Sequence, residues 1–87
     1  MAYEVRLKPS AQRALRKLPR EIQRRIARRL DNLADDTRPA GCERLAGAEG
    51  LYRVRAGDCR IVYEVDDDAI VVLVVAIGDR SDVYRAL

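Results

Sequence analysis

Three arginines in the segment LYRVRAGDCRIVYEV, residues 51–65, are the side chains best suited to chemistry in this sequence. Arg53 and Arg55 alternate with apolar residues before Gly57, and Arg60 follows it. A guanidinium group presents a fork of donors that matches phosphate oxygens bidentately, and it stays charged at any physiological pH. If two strands meet at Gly57, the three side chains come together, which predicts a site for a phosphate group.

The two-residue period of a β-strand decides which face of the hairpin carries these arginines. The residues predicted to share the face that packs on helices are Tyr52, Val54, Ile61, Tyr63 and Val65. Arg53, Arg55 and Arg60 then share the opposite face with Glu64. Either they bind a phosphate group, or they form exposed ion pairs with Glu64 and nearby aspartates, each worth about 0 to 1 kcal/mol. Repulsion between guanidinium groups on adjacent strands favours the phosphate interpretation.

The rest of the chain predicts a scaffold for this hairpin. The expected elements are strands at residues 3–7, 51–55, 60–65 and 70–77, helices at 11–18 and from 19 to the Asp35–Asp36 pair, and a loop at 42–50. Ser10 is a good N-cap for the first helix, and Pro19 suits the first position of the second. In the second helix, one apolar stripe contains Ile22, Ile26, Leu30 and Leu33.

The order of these elements predicts an α+β fold. It is a small antiparallel β-sheet with an N-terminal helix pair packed on one face, in the order β-α-α-β-β-β. The strand at residues 70–77 is apolar at every position, so it is expected inside the sheet and covered on both faces. The 87 residues suit a single domain, 1–87, and a hydrophobic content of 48% is enough for a packed core.

Charge is unevenly distributed along the chain. The residues up to Arg29 contain ten of the 17 basic side chains and two of the 14 acidic ones. This asymmetry indicates an anionic partner, with nucleic acid as the first candidate, although a helix with a solvated arginine face is the alternative. Because the chain has no Phe and no Trp, base stacking on an aromatic sheet face is disfavoured.

The sequence does not favour a metal site, a disulfide bond or a membrane-spanning segment. The chain has no His, and Cys42 and Cys59 form no Cys-x-x-Cys pair, so no metal or cofactor is expected and both thiols are expected to be reduced. The longest apolar run, residues 69–78, is about half the length needed to span a bilayer. No signal sequence opens the chain, so a cytoplasmic location without membrane contact is expected.

The motifs and their order resemble the RelE/ParE superfamily, the toxins of bacterial type II toxin–antitoxin pairs. The similarity extends over essentially the whole chain. It comprises the first strand, a helix pair separated by Leu-Pro, an Arg-Leu-Ala-Gly loop, the hairpin Gly-Leu-Tyr-Arg-Val-Arg-x-Gly-Asp-x-Arg and a final Gly-Asp-Arg-Ser-Asp-Val-Tyr. The resemblance implies a concave, basic sheet face opposite the helix pair.

The RelE branch implies a metal-independent endoribonuclease that cleaves mRNA in the ribosomal A site. It also implies a hetero-oligomer with a cognate antitoxin that neutralises the toxin. Carried over by position, the implied catalytic set is Arg53, Arg55, Arg60, Arg80 and Tyr84. The best-studied members have lysines where this chain has Arg53 and Arg55, and arginine is too basic to accept a proton. The general base therefore stays open, with Asp79 and Asp82 as candidates.

Two other functions are compatible with the same superfamily. A ParE-like toxin inhibits DNA gyrase by binding and needs no catalytic set. A catalytically degenerate toxin would serve only as an interaction or repressor subunit. The complete set of four arginines and a tyrosine favours the ribonuclease, whereas the two arginines in place of lysines keep the degenerate toxin open.

Overall fold

The computed structural model of the chain describes residues 2–47, 50–79 and 83. Two helices and five strands follow one another in this part of the chain. They are β1 (Glu4–Leu7), α1 (Pro9–Arg16), α2 (Arg20–Asp35), β2 (Glu43–Arg44), β3 (Leu51–Ala56), β4 (Cys59–Asp66) and β5 (Val71–Asp79). Helices and strands are segregated along the sequence, and the predicted α+β class is confirmed.

The five strands form one sheet in the order β1-β5-β4-β3-β2. The pairs β2–β3, β3–β4 and β4–β5 are antiparallel, but β1 and β5 are parallel, so the sheet is mixed rather than antiparallel throughout. Two strands joined by a tight turn must be antiparallel. Strand β1 is connected to the rest of the sheet through the two helices, so its direction is not constrained in this way. The second difference is β2, a two-residue edge strand within the segment predicted to be a loop.

A proline lies at the start of both helices, but each start differs from the prediction. Helix α1 begins two residues earlier than predicted, and α2 begins one residue later. Pro9 is the first residue of α1, with Lys8 as the N-cap, so Ser10 lies inside the helix. Pro19 is the N-cap of α2 rather than its first residue. Proline suits the start of a helix because the N–H that it lacks would have no partner there.

The main core lies between the helix pair and one face of the sheet. The predicted stripe of α2 is confirmed, with Ile26 and Leu33 fully buried. They belong to one cluster with the apolar face of the hairpin, which includes Val54, Ile61 and Tyr63. Burial of these side chains is the main free-energy gain of the fold, at roughly 25 cal/mol per Å² of apolar surface.

A smaller core covers part of the opposite face. Val62 packs there with Val75, Ala76 and Val83, all of which are buried. A β-bulge explains why two consecutive residues of β5 join this cluster. Val62 pairs with Ala76 and Tyr63 pairs with Val74, which leaves Val75 without a direct partner on β4. Strand β5 is therefore apolar on both faces, as predicted.

A pair of tyrosines fixes the register of the β3–β4 hairpin. Tyr52 and Tyr63 lie opposite each other, and their rings stack with centroids 5.7 Å apart. The Tyr63 hydroxyl donates a hydrogen bond of 2.8 Å to the carbonyl of Thr37, and burial raises its pKa. Arg38 donates to the Tyr52 hydroxyl at 3.1 Å. Because both tyrosines are anchored outside the hairpin, a slip of one strand would break these contacts.

A charge placed at the centre of the core tests this packing. We expect Ile26→Asp to lower the free energy of unfolding by more than about 3 kcal/mol, because the new carboxylate would be buried without a partner. Ala27→Asp is the matched control, since Ala27 is the next residue of α2 and is exposed. It should lower the free energy of unfolding by less than about 1 kcal/mol. Urea denaturation followed by circular dichroism measures both, and equal losses would contradict the assigned core.

Candidate functional site

The β3–β4 register places the three arginines of the hairpin on one face. Arg55 lies directly opposite Arg60, and Arg53 lies opposite Val62. Val62 belongs to the smaller core, whereas Val54 and Ile61 face the helices. The predicted separation of the two faces is therefore confirmed.

The three arginines line a shallow cavity of about 120 Å³ in this face. The residues around it are Gly41, Glu43, Arg53, Val54, Arg55 and Arg60. On the β5 side, Arg60 is paired with Gly78, which has no side chain. A cavity lined by three guanidinium groups has the charge and the donors to bind a phosphate group.

Glu43 brings a carboxylate into this cluster, which the spacing of residues along the sequence does not predict. It is paired with Arg53 across the β2–β3 ladder, and its Oε2 accepts a hydrogen bond of 2.9 Å from Arg53 Nη2. That hydrogen bond is the main cause that lowers the pKa of Glu43, and the charges of Arg60 and Arg55 lower it further. A strand of two residues has no recognisable period, so the sequence predicts a loop in this segment. For the same reason, it predicts Glu64 rather than Glu43 as the acidic neighbour of the three arginines.

The second helix supports the hairpin from the side. Arg29 Nε of α2 donates a hydrogen bond of 3.2 Å to the carbonyl of Arg55. The guanidinium of Arg25 lies over Gly57, where a β-carbon would come within 3.1 Å of Nη1. Gly57 has φ +65°, a left-handed conformation that glycine adopts at little cost and that suits the first position of a type II′ turn. The turn that sets Arg55 opposite Arg60 thus depends on glycine.

A second basic surface lies on α2 itself. Arg24, Arg25 and Arg28 line a cavity of about 300 Å³ together with Glu21. Through Arg25, this surface reaches the β3–β4 turn and therefore approaches the arginine cavity. The excess of basic residues in the first third of the sequence is concentrated in part on this helix.

Two members of the predicted catalytic set, Arg80 and Tyr84, lie outside the described residues, as does Asp82. Asp79 is the last residue of β5 and is exposed. It lies opposite Cys59, whose pKa is raised by burial and, to a lesser degree, by the charge of Asp79. Cys59, which is paired with Asp79, belongs to the main core rather than to the arginine face.

The described part of the chain offers little for a metal ion or a membrane. Within residues 2–47, 50–79 and 83, no group of three or more His, Cys, Asp or Glu residues could hold a metal. Both cysteines are free thiols, with Cys59 buried and Cys42 half-buried against the core. No helix in the same residues is long and apolar enough to cross a membrane.

The sequence of this chain is similar to those of known toxins. Residues 5–84 match the family model described as ParE toxin of type II toxin-antitoxin system, parDE. A RelE-like toxin protein of Escherichia coli is 34% identical over 89 residues, covering 98% of this chain and 93% of that protein. The mRNA interferase toxin RelE of Escherichia coli strain K12 is 30% identical over 88 residues, covering 97% of this chain and 92% of that protein.

The fold is also that of a solved toxin. The crystal structure of the toxin–antitoxin complex RelBE2 from Mycobacterium tuberculosis contains a chain that superposes on this one with a TM-score of 0.80 at 26% sequence identity. The match covers 92% of this chain and all of that chain. The helix pair and the mixed sheet therefore match the architecture of a solved toxin–antitoxin chain.

The ion pair in the cavity can be tested by titration. We expect Arg53→Met to raise the pKa of the Glu43 carboxyl towards its ordinary value, because the hydrogen bond from Arg53 is the main cause of the lowering. The carboxyl carbon shift of Glu43, followed by NMR through the acidic pH range, reports this pKa. Arg28→Met on α2 is the control and should leave it unchanged. An unchanged pKa in Arg53→Met would contradict the pairing.

Proposed function

This chain belongs to the RelE/ParE superfamily of type II toxin–antitoxin toxins, and we propose that it is a ribosome-dependent endoribonuclease that cleaves mRNA in the ribosomal A site. The observation that carries the proposal is the register that gathers Arg53, Arg55 and Arg60 around one cavity. The name of the relative from strain K12, an mRNA interferase, supports the same reaction.

The chemistry of RNA cleavage explains why such a cavity is useful. The 2′-hydroxyl must lose a proton, the phosphorane must be stabilised and the departing 5′ oxygen must be protonated. Guanidinium groups placed where negative charge develops stabilise the transition state more than the ground state. Arg53, Arg55 and Arg60 serve this purpose in the proposal, and they supply the positive charge that a metal ion provides in other nucleases.

The remaining members of the catalytic set come from the resemblance. Arg80 adds a fourth guanidinium to the phosphate clamp, and Tyr84 stacks on a base or relays a proton. Four arginines and a tyrosine include no strong base. Cleavage of free RNA is therefore expected to be slow, and the ribosome supplies the substrate geometry.

An antitoxin completes the proposed assembly. The solved relative from Mycobacterium tuberculosis is a toxin–antitoxin complex, and we propose that this chain likewise forms a hetero-oligomer with a cognate antitoxin. An acidic or amphipathic segment of that partner would neutralise the toxin by covering the arginine face. Residues 1–87 act as a single toxin domain in this proposal, and its place of action is the cytoplasm, where translation takes place.

Inhibition of DNA gyrase is the second candidate function. The observation that favours it is the family model, whose description names the ParE toxin of parDE. A gyrase inhibitor acts by binding and does not require an arginine cavity with phosphate-binding geometry. The curated relatives named RelE and the arginine face both favour the ribonuclease.

Removal of one guanidinium tests the ribonuclease. We expect Arg60→Ala to lower mRNA cleavage at least about 100-fold and to abolish growth arrest in bacteria, because the phosphorane loses one of its stabilising charges. Primer extension on mRNA from cells that produce the toxin without its antitoxin measures the cuts. Arg80→Ala should give the same loss.

Arg13→Ala is the matched control for this test. Arg13 is an exposed arginine of α1, outside the arginine cavity, so its removal should leave both cleavage and growth arrest intact. Thermal unfolding of Arg60→Ala should stay close to that of the unmodified chain, since the cavity lies at the surface. Full toxicity of Arg60→Ala would contradict the phosphate clamp, and growth arrest with intact mRNA would favour gyrase.

A further inference from the structure

The arginine cavity lacks a proton acceptor among its basic side chains. The guanidinium groups of Arg53, Arg55 and Arg60 stay protonated at physiological pH, so none of them can take the proton of the 2′-hydroxyl. Among the described residues that line this cavity, Glu43 is the one with a carboxylate. Its place there raises the question of whether it only neutralises charge or takes part in the reaction.

The position of Glu43 is fixed from two directions. The β2–β3 ladder sets its backbone opposite Arg53, and the hydrogen bond between the two side chains orients the carboxylate. The Glu43 side chain is 64% exposed, compared with 31% for Arg53. The carboxylate is therefore held in place on one side and accessible to a substrate on the other.

The hydrogen bond from Arg53 uses only part of what the carboxylate can accept. It ends on Oε2, whereas a carboxylate has two oxygens and about four acceptor positions. An arginine that orients a carboxylate in this way leaves it able to accept a further proton or hydrogen bond. The same arrangement, a base oriented by a neighbouring group, recurs in nucleophile activation.

We propose that Glu43 is the general base that removes the 2′-hydroxyl proton of the RNA, oriented by Arg53. This assignment rests on the proposed ribonuclease function. The carboxylate takes the proton, and the 2′ oxygen forms a bond to phosphorus. The bond from phosphorus to the 5′ oxygen breaks, its electron pair leaves with that oxygen, and the oxygen takes a proton from solvent. The products are a 2′,3′-cyclic phosphate and a 5′-hydroxyl end.

The charges around Glu43 favour this role over that of a simple counterion. Arg53 and Arg55 face it from β3, and Arg60 faces it from β4. Among the described residues that line the cavity, one carboxylate against three guanidinium groups leaves a net positive charge, so a phosphate is still attracted. The lowered pKa keeps Glu43 ionised at neutral pH and makes it a weak base. The arginines offset this weakness because they stabilise the charge that develops as the 2′ oxygen attacks.

Single-turnover cleavage of mRNA on programmed ribosomes, with the toxin in excess, tests the proposal. Glu43→Gln removes the base but keeps the shape of the side chain, so we expect cleavage to slow by about 100-fold to 10,000-fold while ribosome binding is retained. Glu64→Gln is the matched control. Glu64 is exposed, and it lies on the same face of the hairpin, opposite Leu51 and outside the cavity. Its variant should cleave at the rate of the unmodified chain.

The pH dependence separates a base from a structural residue. Between about pH 6 and pH 8 the unmodified chain should cleave at a constant rate, because a carboxyl with a lowered pKa is already fully ionised there. In Glu43→Gln, hydroxide must take over, so the rate should rise about tenfold for each pH unit. A residue that only held Arg53 in place would slow the reaction without changing this slope.

Three results would overturn the assignment, and they can be told apart. If Glu43→Gln cleaves as fast as the unmodified chain, or faster, Glu43 is only a counterion and the ribonuclease function still stands. If Glu43→Gln is slow but its rate stays constant with pH, Glu43 has a structural role. If the unmodified chain does not cleave mRNA on ribosomes at all, the proposed function fails and the assignment of Glu43 fails with it.

Discussion

The register of the β3–β4 hairpin is the constraint on which the rest of the molecule depends. A slip of one residue would exchange the two faces of a strand. It would turn Tyr63 towards solvent and drive the charge of Arg60 into the main core, where an unpaired guanidinium is very costly. Core and site are therefore specified by one and the same pairing. The glycine turn at Gly57, the tyrosine stack and the contact from Arg29 to the Arg55 carbonyl all act to hold it.

The second main feature of the structure is the concentration of positive charge on the β3–β4 hairpin and on α2. Like charges on adjacent strands repel, and a surface ion pair such as that between Glu43 and Arg53 contributes little to stability. The arginine cluster therefore contributes little to the stability of the fold, and it is better explained by the binding of an anion. The cavity remains cationic with Glu43 included, and the arginines of α2 extend the basic surface beside it. A polyanion such as RNA is the partner that such a surface suits.

Much of the fold could be predicted from the sequence because its strongest signals are periodic. The α2 stripe, the apolar strand β5 and the alternation of Tyr52, Arg53 and Val54 all follow from local spacing. The direction of β1 could not be predicted, because helices rather than a tight turn connect it to the sheet. Nor could the position of Glu43 beside Arg53, because β2 is too short to have a period and its pairing is set by tertiary structure. Three site residues, Arg53, Arg55 and Arg60, were predicted together for a simple reason: they share one hairpin.

The ends of the cut RNA test the central claim most directly. Messenger RNA recovered from ribosomes treated with the purified toxin can be analysed for the chemical groups on both sides of the cut. A site in which the arginines stabilise the phosphorane formed by attack of the 2′ oxygen predicts a 2′,3′-cyclic phosphate on one fragment and a 5′-hydroxyl on the other, and a single 2′-deoxy nucleotide before the cut should block cleavage. A 3′-hydroxyl with a 5′-phosphate, or efficient cleavage of the deoxy-substituted RNA, would contradict the account.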